Sequence, residues 1–178
     1  MEFVFVSGSA SLDFVGTVRS RRDAPLDSLT TPGDLAEWTV ASGMLDAPPP
    51  VTEADLASAV RLREAIHRLM LASIGGSPLP AEDCGILNRA TARVPVRREL
   101  QPDGTLLRSG SIRAVLATLS HDAVDLLTQW PTLVKECAAP SCTRLYVDRS
   151  RRSSRRWCDM MRCGNRAKAA THRSRHHV

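Results

Sequence analysis

The chain has 178 residues, 43% of them hydrophobic, which suits one ordinary domain with a real core plus a small module. Its net charge of +5 hides an asymmetry: residues 137–178 carry 11 Lys and Arg against Asp148 and Asp159, a balance of +9, whereas residues 1–136 stand at −4. No run approaches the ~20 apolar residues that span a bilayer, and MEFVFVSGSASLDFVGT has no basic start or long apolar stretch, so a membrane span and an export signal are excluded and a cytoplasmic protein is expected.

In chain order, residues 3–6 and 12–18 are short apolar runs that read as strands, or as a strand and a turn. Thr31-Pro32-Gly33-Asp34 opens a helix over DLAEWTVASGML, weakened by Gly43 and ended by Pro48-Pro49-Pro50. The clearest helix follows. Thr52 is its N-cap, and Glu53 and Asp55 complement the helix dipole in its first turn. Leu56, Val60, Ile66, Leu69 and Met70 form its apolar face, and Gly75-Gly76 stops it. Residues 80–93 read as another helix with Ile86, Leu87 and Ala90 inward. VPVRRELQPDGTLLR reads as a β-hairpin turning at Pro102-Asp103-Gly104. A long helix from about Ser111 to Trp130 carries Val115, Leu116, Leu119, Val124, Leu126 and Leu127, with Pro131 at its end.

The fold class is therefore a mainly α body with a small β component (α+β). The expected division is residues 1–130 as a helical ligand-sensing or dimerisation body and residues 131–178 as a four-cysteine module. With no Gly/Ser-rich linker between them, the module is expected to pack on the body.

The body offers little for catalysis. Spacing suggests no Ser/His/Asp set and no Gly-rich phosphate loop, and no enzyme is predicted. His67 and His121 fall on predicted helices as surface or packing residues, and Cys84 reads as a small apolar residue. Asp13, Trp38 and Arg113 are candidate residues for a small-molecule effector pocket by position and type. Asp13 has the alternative of bonding local backbone.

The chemistry concentrates at the basic end. Cys137, Cys142, Cys158 and Cys163 form the pattern C-x4-C-x15-C-x4-C. Two loops that each present two thiols close a tetrahedral Zn2+ site, and in a reducing compartment zinc is favoured over two disulfides or an iron–sulfur cluster. The 15 residues between the pairs leave room for a hairpin: 143–147 outward, a turn near 148–150, and a return through 155–157. A helix is expected from Gly164. A module this small relies on metal binding for most of its folding energy.

Arg151, Arg152, Arg155 and Arg156 cluster between the pairs, and Arg166, Lys168 and Arg173 follow them. Most are expected to meet phosphates of duplex DNA, with one or two reaching base edges. Asn165 either reads an adenine or caps the helix start. Trp157 is expected to shield the metal rather than stack on a base. With three Phe, one Tyr and three Trp in the chain, single-stranded RNA is the weaker partner. An alternative is an adaptor whose module docks an acidic protein.

Arg155-Arg156-Trp157-Cys158 and Cys163-Gly164-Asn165-Arg166-Ala167-Lys168 closely resemble the CGNR zinc finger, named for the four residues at 163–166. Leu145-Tyr146-Val147-Asp148 fits the same pattern. Leu12-Asp13-Phe14-Val15-Gly16-Thr17 and residues 35–38 resemble the ABATE-type domain that accompanies this finger, described as a stress-induced, ligand-sensing regulator. That family usually has Asn where this chain has Gly16. The resemblance implies a bacterial transcription regulator with a treble-clef-like zinc module, a hairpin plus a helix. A homodimer is attractive because one small finger contacts few base pairs.

Overall fold

A computed structural model of the chain describes residues 3–129, 131–166 and 168–169. Five helices make the body: α1 (Ala10–Val15), α2 (Pro32–Ala41), α3 (Glu53–Ile74), α4 (Ala81–Thr91) and α5 (Ile112–Gln129). Three two-stranded antiparallel sheets accompany them. They pair β1 (Val18–Arg19) with β2 (Leu26–Asp27), β3 (Arg97–Leu100) with β4 (Leu106–Ser109), and β5 (Val134–Glu136) with β6 (Leu145–Val147).

Local chemistry sets the long helices. Thr31 and Thr52 each build a capping box with an aspartate three residues on, Asp34 and Asp55. The 22 residues of α3 span about 33 Å, and all four other helices pack against it. Gly104, at φ +84°, makes the β3–β4 turn, where a side chain would be strained.

The run at 12–18 departs from the strand expectation: residues 10–15 are helical, and only Val18–Arg19 is extended. The cause is partly local and partly tertiary. Ser9 caps α1, and Asp122 on α5 accepts hydrogen bonds from the Ser9 hydroxyl and, at 2.8 Å, from the Ser11 amide. Tertiary anchoring thus makes a six-residue helix that is too short to persist alone. Leu12, Phe14 and Val15 are fully buried against α3 and α5, and the Phe14 and Trp38 rings meet at 5.2 Å.

The arginine of α3 at position 63 is buried among these apolar residues. Arg63, 2% exposed, makes two 2.7 Å bonds to Asp27 and also reaches Thr17 and Glu64. Burial raises the Asp27 carboxyl, but the Arg63 contacts outweigh it and hold the group below its ordinary range. This pair fastens the β1–β2 turn to the middle of α3. Among the described residues, no helix is long and apolar enough to cross a membrane.

Candidate metal centre

The first cysteine pair lies in the loop between β5 and β6. Glu136 pairs with Leu145, and the ladder continues with the Cys137 amide donating to Arg144 O at 3.0 Å. A tight turn through Pro140-Ser141, closed by Cys142 N to Ala139 O at 2.9 Å, returns the second thiol beside the first. The hairpin of the module is thus β5–β6. The expected return strand at 155–157 is not a strand. Leu145–Val147 pairs with the segment before the first knuckle, so that knuckle forms the hairpin's tip. Residues 155–157 are held instead by the Ala138 amide donating to Arg156 O and by the Tyr146 and Asp148 side chains on the Arg155 backbone.

The second pair is set by a wide helical turn, Met160–Gly164. Asp159 caps it by accepting from Met161 N at 3.0 Å, and its own carbonyl accepts from Cys163 N and Gly164 N. The helix therefore starts before the expected Gly164, and Asp159 holds the cap position considered for Asn165. Asn165 sits past the start with helical φ −66° and ψ −38°. The wide turn brings the Cys163 sulfur to 3.6 Å from that of Cys158. Turns of this kind recur at functional sites. A Cβ on Gly164 would stand 2.7 Å from Met160 Sδ and 3.3 Å from Trp157, so glycine lets this turn close on the indole.

All four sulfurs lie within 4.8 Å of one another, and Cys142 Sγ is 3.8 Å from Cys158 Sγ. Zinc–thiolate bonds of about 2.3 Å at tetrahedral angles place sulfurs about 3.8 Å apart, so the spacing fits Zn2+. Hydrogen bonds from Cys142 and Cys158 hold the Cys137 thiol far below its ordinary range, and burial with neighbouring thiolate charge pushes Cys163 up to about 12. Four thiolates this close repel one another, and a divalent cation relieves that repulsion. Cys158 N also donates to Cys137 Sγ at 3.4 Å, and Trp157 packs against the buried cluster of Cys137, Ala139, Tyr146, Cys158 and Cys163. Cys84 lies apart, half-buried against the body core.

The centre is fastened to the body. Val134, Leu145 and Val147 belong to the body's hydrophobic core, while Tyr146 faces the cysteines. Val147 N donates to Ser7 O at 2.7 Å, Arg144 Nη1 to Val4 O at 3.1 Å, and Arg21 N to Thr143 Oγ1 at 3.1 Å. Asp148 is fully buried and accepts from Lys135, Ser150 N and Arg155 N, and the Lys135 bond leads in holding its carboxyl far below the ordinary range. Asp148 is one of two acids in a segment of net +9, a signal in the sequence that its role is internal.

The basic residues divide into two groups. Arg151, Arg152, Arg156, Asn165, Arg166 and Lys168 are exposed. Among the described residues no ion pair engages any of these cations, though Arg156 lies over the Trp157 ring at 5.2 Å. Arg173 lies outside the described residues. Arg155 differs from a phosphate ligand: its guanidinium donates to Trp157 O, Val6 O and Cys158 O and stacks 4.6 Å over Tyr146. Arg144 is likewise buried.

The three candidate effector residues are not brought together. Asp13 and Trp38 border one narrow cleft of about 10 Å3, and Asp13 accepts from the Val6 and Ser7 amides at 3.0 Å, its local-backbone alternative. Burial pushes the Asp13 carboxyl up against those bonds. Arg113 lines a different groove. Gly16 has a steric role. A Cβ there would lie 2.5 Å from Arg144 Nη1, so the bare backbone admits the finger's arginine. Gly16→Ala should cost ~1–3 kcal/mol in urea denaturation by overpacking this joint, and Arg144→Ala in the same chain should recover part of it.

Two family models match the chain. The one described as "ABATE: Putative stress-induced transcription regulator" covers residues 8–130, and the CGNR zinc finger covers residues 134–176. No curated protein matches it. The chain belongs to the ABATE family, and with its CGNR finger and thiol set suited to Zn2+ it has the make-up of a zinc-binding regulator.

Proposed function

We propose that the chain is a zinc-dependent DNA-binding transcription regulator, in which the finger contacts duplex DNA and the helical body senses a ligand or dimerises. The observation that carries this reading is the division of the arginines. Those that brace the finger point inward, and Arg151, Arg152, Arg166 and Lys168 remain exposed on it without an ion pair among the described residues. A single-sign surface fixed by a metal is suited to a phosphate backbone. Arg166 and Lys168 stand on different sides of one helical turn, so they address separate phosphates rather than one base.

The test is duplex binding across a salt series. Each phosphate contact contributes about 0.9 to the slope of log K against log salt. Replacing Arg151, Arg152, Arg166 and Lys168 together by alanine should lower that slope by ~2–4 and weaken binding at least 100-fold at low salt, with zinc content and thermal stability unchanged. A zinc-loaded protein that ignores DNA at low salt overturns the reading. It would favour the adaptor, for which Met160 and Met161, 48% and 79% exposed beside the second knuckle, offer an apolar contact.

A further inference from the structure

Away from the finger, α3, α4 and the start of α5 enclose a groove of about 550 Å3. Its floor is apolar: Leu62 and Leu116 are buried there, and Ile86 beside them is half-buried. Its rim is basic. Arg61 comes from α3, Arg89 from α4, Arg93 from just after α4, and Arg113 from α5. Two carboxylates face them, and one is already engaged: Asp55 closes the capping box with Thr52 and stands 3.9 Å from Arg113. Glu82 makes no ion pair among the described residues, and neither do Arg89 and Arg93.

This arrangement runs against the charge of its surroundings. Residues 1–136 are net −4, yet the groove gathers four guanidinium groups against two carboxylates. Arg89, in the last turn of α4, and Arg93, just past its end, both stand on this rim without an ion pair among the described residues. An anion held between them would meet two guanidinium groups at once. We infer that this groove binds a soluble amphipathic organic anion, with its carboxylate or phosphate head on the arginine rim and its hydrocarbon part on Leu62, Ile86 and Leu116.

Size and shape select this class. The volume falls within the range of small-molecule sites, which combine an apolar lining with a few polar anchors. Guanidinium forks match carboxylate and phosphate geometry. A DNA backbone would touch the rim and leave the apolar floor uncovered. A small inorganic anion would do the same. Only a ligand with both parts uses both surfaces.

The inference deepens the sensing half of the proposed function and rests on it for the step from binding to regulation, but its test contains no DNA. The full-length zinc-loaded protein is titrated with 8-anilinonaphthalene-1-sulfonate, an amphipathic anion whose fluorescence rises in apolar surroundings. Octanoate, 1-octanol and acetate then compete at constant ionic strength. The expected result is saturable binding of one probe per chain, displaced by octanoate and left in place by equal concentrations of octanol or acetate. The Arg89→Ala/Arg93→Ala variant, whose changed side chains are exposed, should keep its circular dichroism and weaken binding about tenfold or more. Probe binding that is absent, unchanged in that variant, or displaced equally by octanol overturns the inference. DNA binding measured separately stands or falls by the finger variants above, so the two failures are distinguishable.

Discussion

Cys158→Ser is expected to abolish stoichiometric zinc binding, to lose DNA binding with it, and to lower the melting temperature of the whole chain. Cys158 is the centre of the thiol cluster: its sulfur lies 3.8 Å from that of Cys142 and 3.6 Å from that of Cys163, and its amide donates to Cys137. Serine removes one of four soft ligands and leaves three thiolates without their counter-ion. Structural zinc supplies ~10–16 kcal/mol of apparent binding energy to small modules, so the variant finger has little left to fold on. The damage should reach the body, because β6 places Leu145 and Val147 in its core. Releasing two such side chains costs about 3–6 kcal/mol by transfer alone. Helices α3 to α5 keep most of their own contacts, so far-ultraviolet circular dichroism should retain most of its helical signal. Zinc content by atomic emission and a thermal melt on one sample decide the matter, with Cys84→Ser as the control that changes neither zinc content nor DNA binding. Full zinc occupancy in Cys158→Ser would falsify the four-thiolate site.

How much of this was legible in the sequence depended on whether the signal was local. The capped helices α2 and α3, the hairpin at Pro102-Asp103-Gly104 and the cysteine pairs announce themselves within a few residues, because caps, turns and knuckles are short-range devices. Helix α1 was not legible, since Asp122, more than 100 residues away, helps hold its start. The finger's hairpin was misplaced for a related reason. Leu145–Val147 reads as extended, but its partner β5 is only three residues, Val134–Glu136, too short to announce a strand, and the apolar face that chooses between partners belongs to the body. The expected effector trio failed because residue type says nothing of convergence. Asp13 turned to its own backbone, and Arg113 stands over another groove. Formal charge misled most of all. It counts Arg144 and Arg155 towards the basic end's +9, although one is buried against Gly16 and the other, a candidate phosphate contact, is enclosed by carbonyls.

Arg155 therefore provides the sharpest separation of scaffold from contact surface. Its guanidinium gathers the Val6 carbonyl from the body and the Trp157 and Cys158 carbonyls from the second knuckle, and it lies over the Tyr146 ring. Its own carbonyl accepts from the Tyr146 hydroxyl at 2.6 Å, and its amide donates to Asp148. A planar fork can serve three carbonyls and a ring at once, whereas an ammonium on a flexible stem cannot. Arg155→Lys is expected to cost ~3–6 kcal/mol in denaturant unfolding of the zinc-loaded protein, most of the cost of Arg155→Ala, because each lost charged hydrogen bond is worth ~1.5–3 kcal/mol and lysine restores about one of the three. A phosphate ligand behaves in the opposite way: lysine keeps the charge, so the change is nearly silent. Arg151→Lys and Arg152→Lys should be silent in both stability and salt slope, while their alanine counterparts lower the slope and leave stability within ~0.5 kcal/mol. If Arg155→Lys matched wild type in stability, the bridge from Val6 to the second knuckle would carry no weight, and Arg155 would return to the phosphate-contacting group. If it is as damaging as alanine, the orientation of the finger on the body depends on an arginine that never meets DNA, and the contact surface narrows to the cations left exposed around the knuckle.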